Sequence, residues 1–412
     1  MRLICFMSLN YETTIIIPPR LPLSFNNNVS HLNHYSFRLL SLSGIPFAVE
    51  NLQIYFHNRR KEISRGRARK MEGQVLFGWN WVVVIYLFLA GVSAGAFAIS
   101  SLAYFIGKET HERIVRIGAY VAPFPLLIGT LCLIYDLERP HLFWKLFLTF
   151  QLSSVMSIGA WLLLLFTLTS FLHFYIWLPE GFHLLAVLQW LPPRFAQMGI
   201  IKAIKSIHFP SFFGREKLLQ WREWVALIGI LASFCVGIYT GVLLGAVVAR
   251  PFWNNPILPL LFLVSAMKTG VASILLVEFA LIGFKKMKKE EMDASKLLIH
   301  FTDLILVVLY IIAVFLFIFG LCVSTKSSCE AVKLIMGGEF TLPFWLLVMG
   351  VGVLIPLTIE MYELVPYYRQ HVKQTEHSPW ISVIFATSVL IGGFALRYVV
   401  IYAGQISQTI SS

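Results

Sequence analysis

From Trp81 onward the chain reads as long apolar runs separated by short polar joints, with neither the strict alternation of a half-buried strand nor the sparse stripe of a water-facing helix. Eight such runs lie near Trp81–Phe105, Ile117–Tyr135, Leu152–Leu178, Trp224–Val248, Ile257–Phe284, Leu298–Val323, Leu342–Leu364 and Ile381–Ala403. Each is close to the roughly 20 residues a helix needs to cross a bilayer core. A spanning β-barrel would show short alternating segments, and an open sheet could not satisfy its backbone in lipid. The pattern predicts an all-α integral membrane protein, an eight-transmembrane-helix bundle.

The stretch from Met1 to Lys70 differs in kind. It mixes short apolar pieces with polar runs such as Asn26-Asn27-Asn28, ends on a basic cluster from Arg59 to Lys70, and holds no spanning run. It also lacks the basic start, apolar centre and small-residue cleavage site of a signal peptide. Met71 stands directly before the first apolar run, so residues 1–70 are expected to be an extension whose true start is Met71, or else a basic tail on anionic lipid. The membrane domain is expected over 71–412. No repeat of 20 to 50 residues is visible.

Composition narrows the class further. The chain is 58% hydrophobic and 13% charged, with a mean hydropathy of +0.75, against about 25% charged residues in an average soluble chain. The net charge of +12 belongs to membrane-flanking joints before it suggests nucleic acid. Joints after the odd-numbered runs hold 16 Lys and Arg, among them Lys108, Arg116, Lys202 and Lys285, while those after runs two, four and six hold 5. That asymmetry puts both ends of the core on the outer side of the cell inner (plasma) membrane. The joint from Pro179 to Arg222 then lies on the cytoplasmic surface.

Redox groups of the chain's own are not indicated. Five cysteines form no CxxC and no repeated spacing, which argues against iron–sulfur and metal sites. Only His173 and His300 touch the apolar runs, each near an end, too few for membrane haem. Polar residues gather elsewhere. YLFLAGVSAGAF carries a small-residue stripe, Ala90, Gly91, Ala94 and Gly95, where another helix can approach closely, with Tyr86 one and a half turns inside the helix. DLERPHLFW, from Asp136 to Trp144, sets Asp136 and Arg139 one helix turn apart and ends the helix at Pro140. Tyr239 stands in YTG, Ser265 follows PFWNNPILPLLF, and Arg397 lies deep in GGFALRYVVIYAGQ. A charge at that depth is expensive unless paired or hydrated, so a structural ion pair of Arg397 with a carboxylate such as Asp136 is expected.

Taken in order, YLFLAGVSAGAF, DLERPHLFW, SSVMSIGAW, YTGVLLG, PFWNNPILPLLFLVSA and GGFALRYVVIYAGQ resemble the NrfD-like family, the membrane subunits of polysulfide reductase type complexes, over Trp81 to Gln405. The resemblance implies a cofactor-free anchor that binds quinone, menaquinone or ubiquinone. It also implies electron exchange with a ferredoxin-like iron–sulfur subunit serving a catalytic subunit, often a molybdopterin one. In such proteins the quinone site lies at the bundle end nearest the iron–sulfur subunit and uses the first helix. Where some relatives carry a His and an Asn, this sequence has Val83, Val84 and Tyr86, with Asn80 just before the helix.

Helix direction and a rise of about 1.5 Å per residue place Tyr86, Asp136, Arg139, Tyr239 and Arg397 in the outer half. Lys268 falls near the middle, and Glu278, Asp303 and Glu360 in the inner half. Quinone chemistry moves two protons with two electrons, so Asp136 and Arg139 are expected to exchange protons while Tyr86, His141, Trp144 and Tyr239 hold the ring. Lys268, Glu278, Asp303 and Glu360 are candidates for a proton path, or for static pairs. The competing class is a transporter with a midplane solute site around Lys268 and Ser265. It would want discontinuous helices and a symmetric repeat, whereas the motifs here gather at one end.

Overall fold

A computed structural model describes residues 79–137, 140–148, 151–178, 219–282, 289–370 and 379–407. Residues 1–70, Arg139 and most of the joint after Leu178 lie outside them. The described residues all fall within one unit, Trp79–Ser412. They form helices α1 (Trp81–Val121), α2 (Pro123–Asp136), α3 (Lys145–Leu148), α4 (Val155–Trp177), α5 (Arg222–Gly245), α6 (Leu258–Ile282), α7 (Lys289–Ser324), α8 (Lys326–Val332), α9 (Ile355–Gln370) and α10 (Pro379–Ile406). A π-helical stretch, Pro343–Leu354, leads directly into α9. No strand occurs among the described residues.

Among the described residues seven segments are long and apolar enough to cross a membrane, the first being the 56 residues Trp81–Asp136. Here the count differs from the expected eight runs. Helix α1 alone would be about 60 Å long if straight, twice a bilayer core, but its backbone leaves helical angles at Gly107 and His111. The two halves then run back along each other. Ser100 Oγ donates to Val115 O at 2.7 Å and Ser93 Oγ to Ala122 O, while Gly129 faces Tyr86. These pairings share one antiparallel register, which carries Asp136 back to the start of α1.

The small-residue stripe is where α6 crosses α1. A Cβ on Gly95 would overlap the Ala266 carbonyl, and one on Gly270 would overlap the Gly95 backbone. The two helices therefore meet backbone to backbone, as small residues permit in membranes. Around this core the usual distribution is inverted. Leu131, Leu168 and Phe315 are each more than 60% exposed, whereas Lys268, Asp303, Glu360 and Arg397 are buried. Apolar exteriors of this extent suit lipid rather than water, and the protein is a multi-pass membrane protein.

Candidate functional site

The start of α1 and the end of α2 meet at one end of the bundle. Asn80, just before α1, donates from Nδ2 to Asp136 Oδ1 at 3.3 Å. Sequence reasoning left Asn80 outside the site, since its link to Asp136 appears only when the hairpin register is known. Two turns deeper, Tyr86 is buried against Gly129 and is close enough to Tyr239 of α5 to interact with it electrostatically. The Tyr239 phenol lies over Gly159 of α4 so closely that a Cβ there would overlap the ring. SSVMSIGAW thus contributes a clearance, which the motif alone did not reveal.

His141 and Trp144 are not gathered into this pair. His141 sits exposed in a single 3-10 turn, Pro140–Leu142. Trp144 is 47% exposed with the Lys145 ammonium 5.9 Å from its ring centroid. The same bundle end is tied by other bonds. Gln405 donates to Trp79 O, Arg250 donates to the carbonyls of Gln405 and Ser407, and Trp253 Nε1 donates to Val400 O at 2.7 Å.

Arg397 requires a correction. Its guanidinium is fully buried, yet its bonds go to no carboxylate: Nε donates to Leu87 O at 3.1 Å, and Nη1 to Ser265 Oγ at 2.9 Å and Gly393 O at 2.8 Å. Rings of Phe88 and Phe262 stand 5.8 and 5.5 Å from its Cζ. A planar fork of donors can be satisfied by carbonyls, a hydroxyl and aromatic faces without an ion pair. Asp136, at the helix end, keeps Asn80 instead. Gly91 makes the room, because a Cβ there would overlap Nη2.

Beyond Arg397 the buried polar groups continue as a row. Tyr310 of α7 is within electrostatic range of Arg397, and the Lys268 ammonium lies 5.3 Å from its ring centroid. Lys268 Nζ also donates to Gly352 O, inside the π-helical stretch, at 3.3 Å. Such wide turns dislocate the usual carbonyl pairing. Asp303 of α7 and Glu360 of α9 neighbour each other and both act on Lys268, with His300 close to Asp303. Glu278 is buried ten residues beyond Lys268 on α6. Tyr310, His300 and Gly352 were not expected from the sequence, because only packing selects one tyrosine or carbonyl among many. Among the described residues no group of three or more His, Cys, Asp or Glu is arranged to hold a metal.

A lipid-facing bundle with a polar end and a row of buried ionisable groups defines an integral membrane protein. The family model "Polysulphide reductase, NrfD" matches residues 69–408, and the chain belongs to that family. It is 31% identical over 336 residues to "Protein NrfD" of Escherichia coli (strain K12), covering 80% of this chain and 95% of that one. It is 32% identical over 332 residues to a polysulfide reductase chain of Wolinella succinogenes, covering 79% and 94%. A third relative, a selenate reductase subunit of Mesobacillus selenatarsenatis, is 27% identical over 287 residues, 68% and 66% of the two chains. The protein is a membrane subunit of a respiratory oxidoreductase.

Proposed function

We propose that the chain binds quinone or quinol at the Asp136 end of the bundle. It would exchange electrons there between the membrane pool and a ferredoxin-like iron–sulfur subunit docked over that end, which serves a catalytic subunit of the molybdopterin type. Oxidation of a quinol releases two electrons and two protons, and reduction of a quinone consumes them, so the site needs hydroxyls for the carbonyl oxygens and a group that accepts protons. The observation that carries the reading is the gathering of Tyr86, Tyr239, Asn80 and Asp136 at one end of the α1–α2 hairpin. In this assignment Tyr86 and Tyr239 bind the quinone, Asp136 and Arg139 form the pair that exchanges protons with it, and His141 and Trp144 cover the mouth. The core termini face outward, in line with the charge asymmetry of the joints.

The row Lys268, Asp303 and Glu360, with Glu278 beyond it, serves in this reading as a proton path toward the opposite face. It is supported by continuity from Arg397 through Tyr310. The transporter alternative has less support, since Ser265 is bonded to Arg397 and Lys268 to Gly352 O, the two groups it would leave open to solute. The test is photolabelling of the complex in membranes with an azidoquinone, followed by peptide mapping. Label on peptides that carry Tyr86 and Tyr239, displaced by excess quinone, is the expected result. Label only on lipid-facing peptides would refute the site.

A further inference from the structure

The other end of the α1–α4–α5 group holds a second polar cluster that the quinone reading does not use. His173 of α4 is fully buried between Phe97, 4.8 Å away by ring centroids, and Trp177, 6.3 Å away. Its Nε2 lies 3.1 Å from Ser100 Oγ. Ser100 has one hydroxyl proton and gives it to Val115 O at 2.7 Å, so the ring nitrogen must be the donor in the His–Ser contact. The imidazole is therefore the Nε2–H tautomer, and Nδ1 presents a lone pair.

That lone pair meets no donor among the described residues, and neither Ser170 Oγ nor Trp177 Nε1, both buried, has a partner there. Residues 170, 173 and 177 recur at three- and four-residue spacing, so they share one face of α4. They offer, in order, a hydroxyl that can donate or accept, an acceptor and a donor. That set matches water, which gives two hydrogen bonds and receives two. An anion would be repelled by the Nδ1 lone pair, and a metal ion would find no carboxylate in the set. The path outward is polar as well. Arg222, at the start of α5, lies with Cζ 5.4 Å from the Trp177 ring centroid and 5.6 Å from that of Tyr104, and Tyr104 OH faces the exposed Glu223.

We propose that His173, Ser170 and Trp177 line an internal water-binding site that is hydrated from the Arg222 end of the bundle. None of its residues belongs to the quinone site, so it stands or falls independently of that reading.

Radiolytic hydroxyl-radical labelling tests this, because radicals formed from a bound water oxidise the imidazole and indole rings that touch it whatever their protonation state. The full-length protein in lipid nanodiscs is exposed to a short X-ray pulse, digested and read by mass spectrometry, with exposed His141 as internal reference. His173 and Trp177 are expected to be oxidised, and Ser170→Val, which replaces the hydroxyl by a methyl and adds a second methyl where the water would sit, to lower that labelling at least about tenfold relative to His141. Unoxidised His173 and Trp177 at doses that oxidise His141 would mean a dry site and overturn the proposal. So would unchanged labelling in a folded Ser170→Val protein. Should that variant fail to assemble, labelling of the unmodified protein decides alone.

Discussion

Asp136 and Arg397 show how differently two charged residues can be held in one membrane bundle. Asp136 is partly exposed at a helix end, where its side-chain partner among the described residues is Asn80. Asp136→Asn is expected to leave assembly intact and cut quinol-linked turnover at least tenfold, the equivalent of about 1.4 kcal/mol of barrier. Turnover per assembled complex, measured on the same membranes as the amount of complex, checks it. Arg397 is fixed by three hydrogen bonds and two rings. Arg397→Lys keeps the charge but not the fork, and should lower stability by roughly 1.5–3 kcal/mol for the charged hydrogen bonds it loses. Its apparent melting point in detergent should fall, and an unchanged one would show that a single ammonium satisfies the same groups.

Between elements, glycines decide which faces meet. The Gly95–Gly270 approach lets α1 and α6 cross at backbone distance, and Gly270→Val should reduce the folded yield sharply, because neither backbone can retreat. Gly159 has a more local task, since the nearest obstacle to a Cβ there is the Tyr239 ring. Gly159→Ala should leave the yield near normal while pushing the phenol aside and raising the KM for quinol about tenfold. The contrast between these variants, yield in one and KM in the other, is read by size-exclusion chromatography and steady-state kinetics. The element pattern itself was legible: the apolar runs from Leu152 onward correspond to α4, α5, α6, α7, the Pro343–Leu354 stretch with α9, and α10, to within a few residues at most ends. Hydropathy sees apolar length, however, and not winding. The π-helical turns at Pro343–Leu354 and the fold-back at Gly107–His111 depend on which backbone groups find partners.

For the whole molecule, the proposed orientation sets the Asp136 end and the C-terminus outward, on the ground of joint charges 16 against 5. A reporter fused after Ser412 should be active only as a periplasmic passenger. Cytoplasmic activity would exchange the two faces and move the proposed iron–sulfur partner to the other side. The purified protein, washed free of quinone, should show no haem Soret band and no iron–sulfur absorption. Stoichiometric haem would assign it to a different electron carrier class.

Membrane residence, helical class and family followed from sequence alone, because lipid imposes one requirement, long apolar helices with satisfied backbones, that is written locally in every run. The residues Tyr86, Asp136, Tyr239, Lys268 and Arg397 could be singled out for the same reason, since a polar side chain in an apolar run carries a cost that something must offset. Which partner offsets it was decided only in three dimensions. Asn80 rather than Arg397 reached Asp136, Ser265 and two carbonyls took the guanidinium, and Ser100 set the tautomer of His173. Such pairings join residues up to 310 positions apart. They depend on helix register and on the clearance left by glycines, neither of which a one-dimensional pattern of polarity contains.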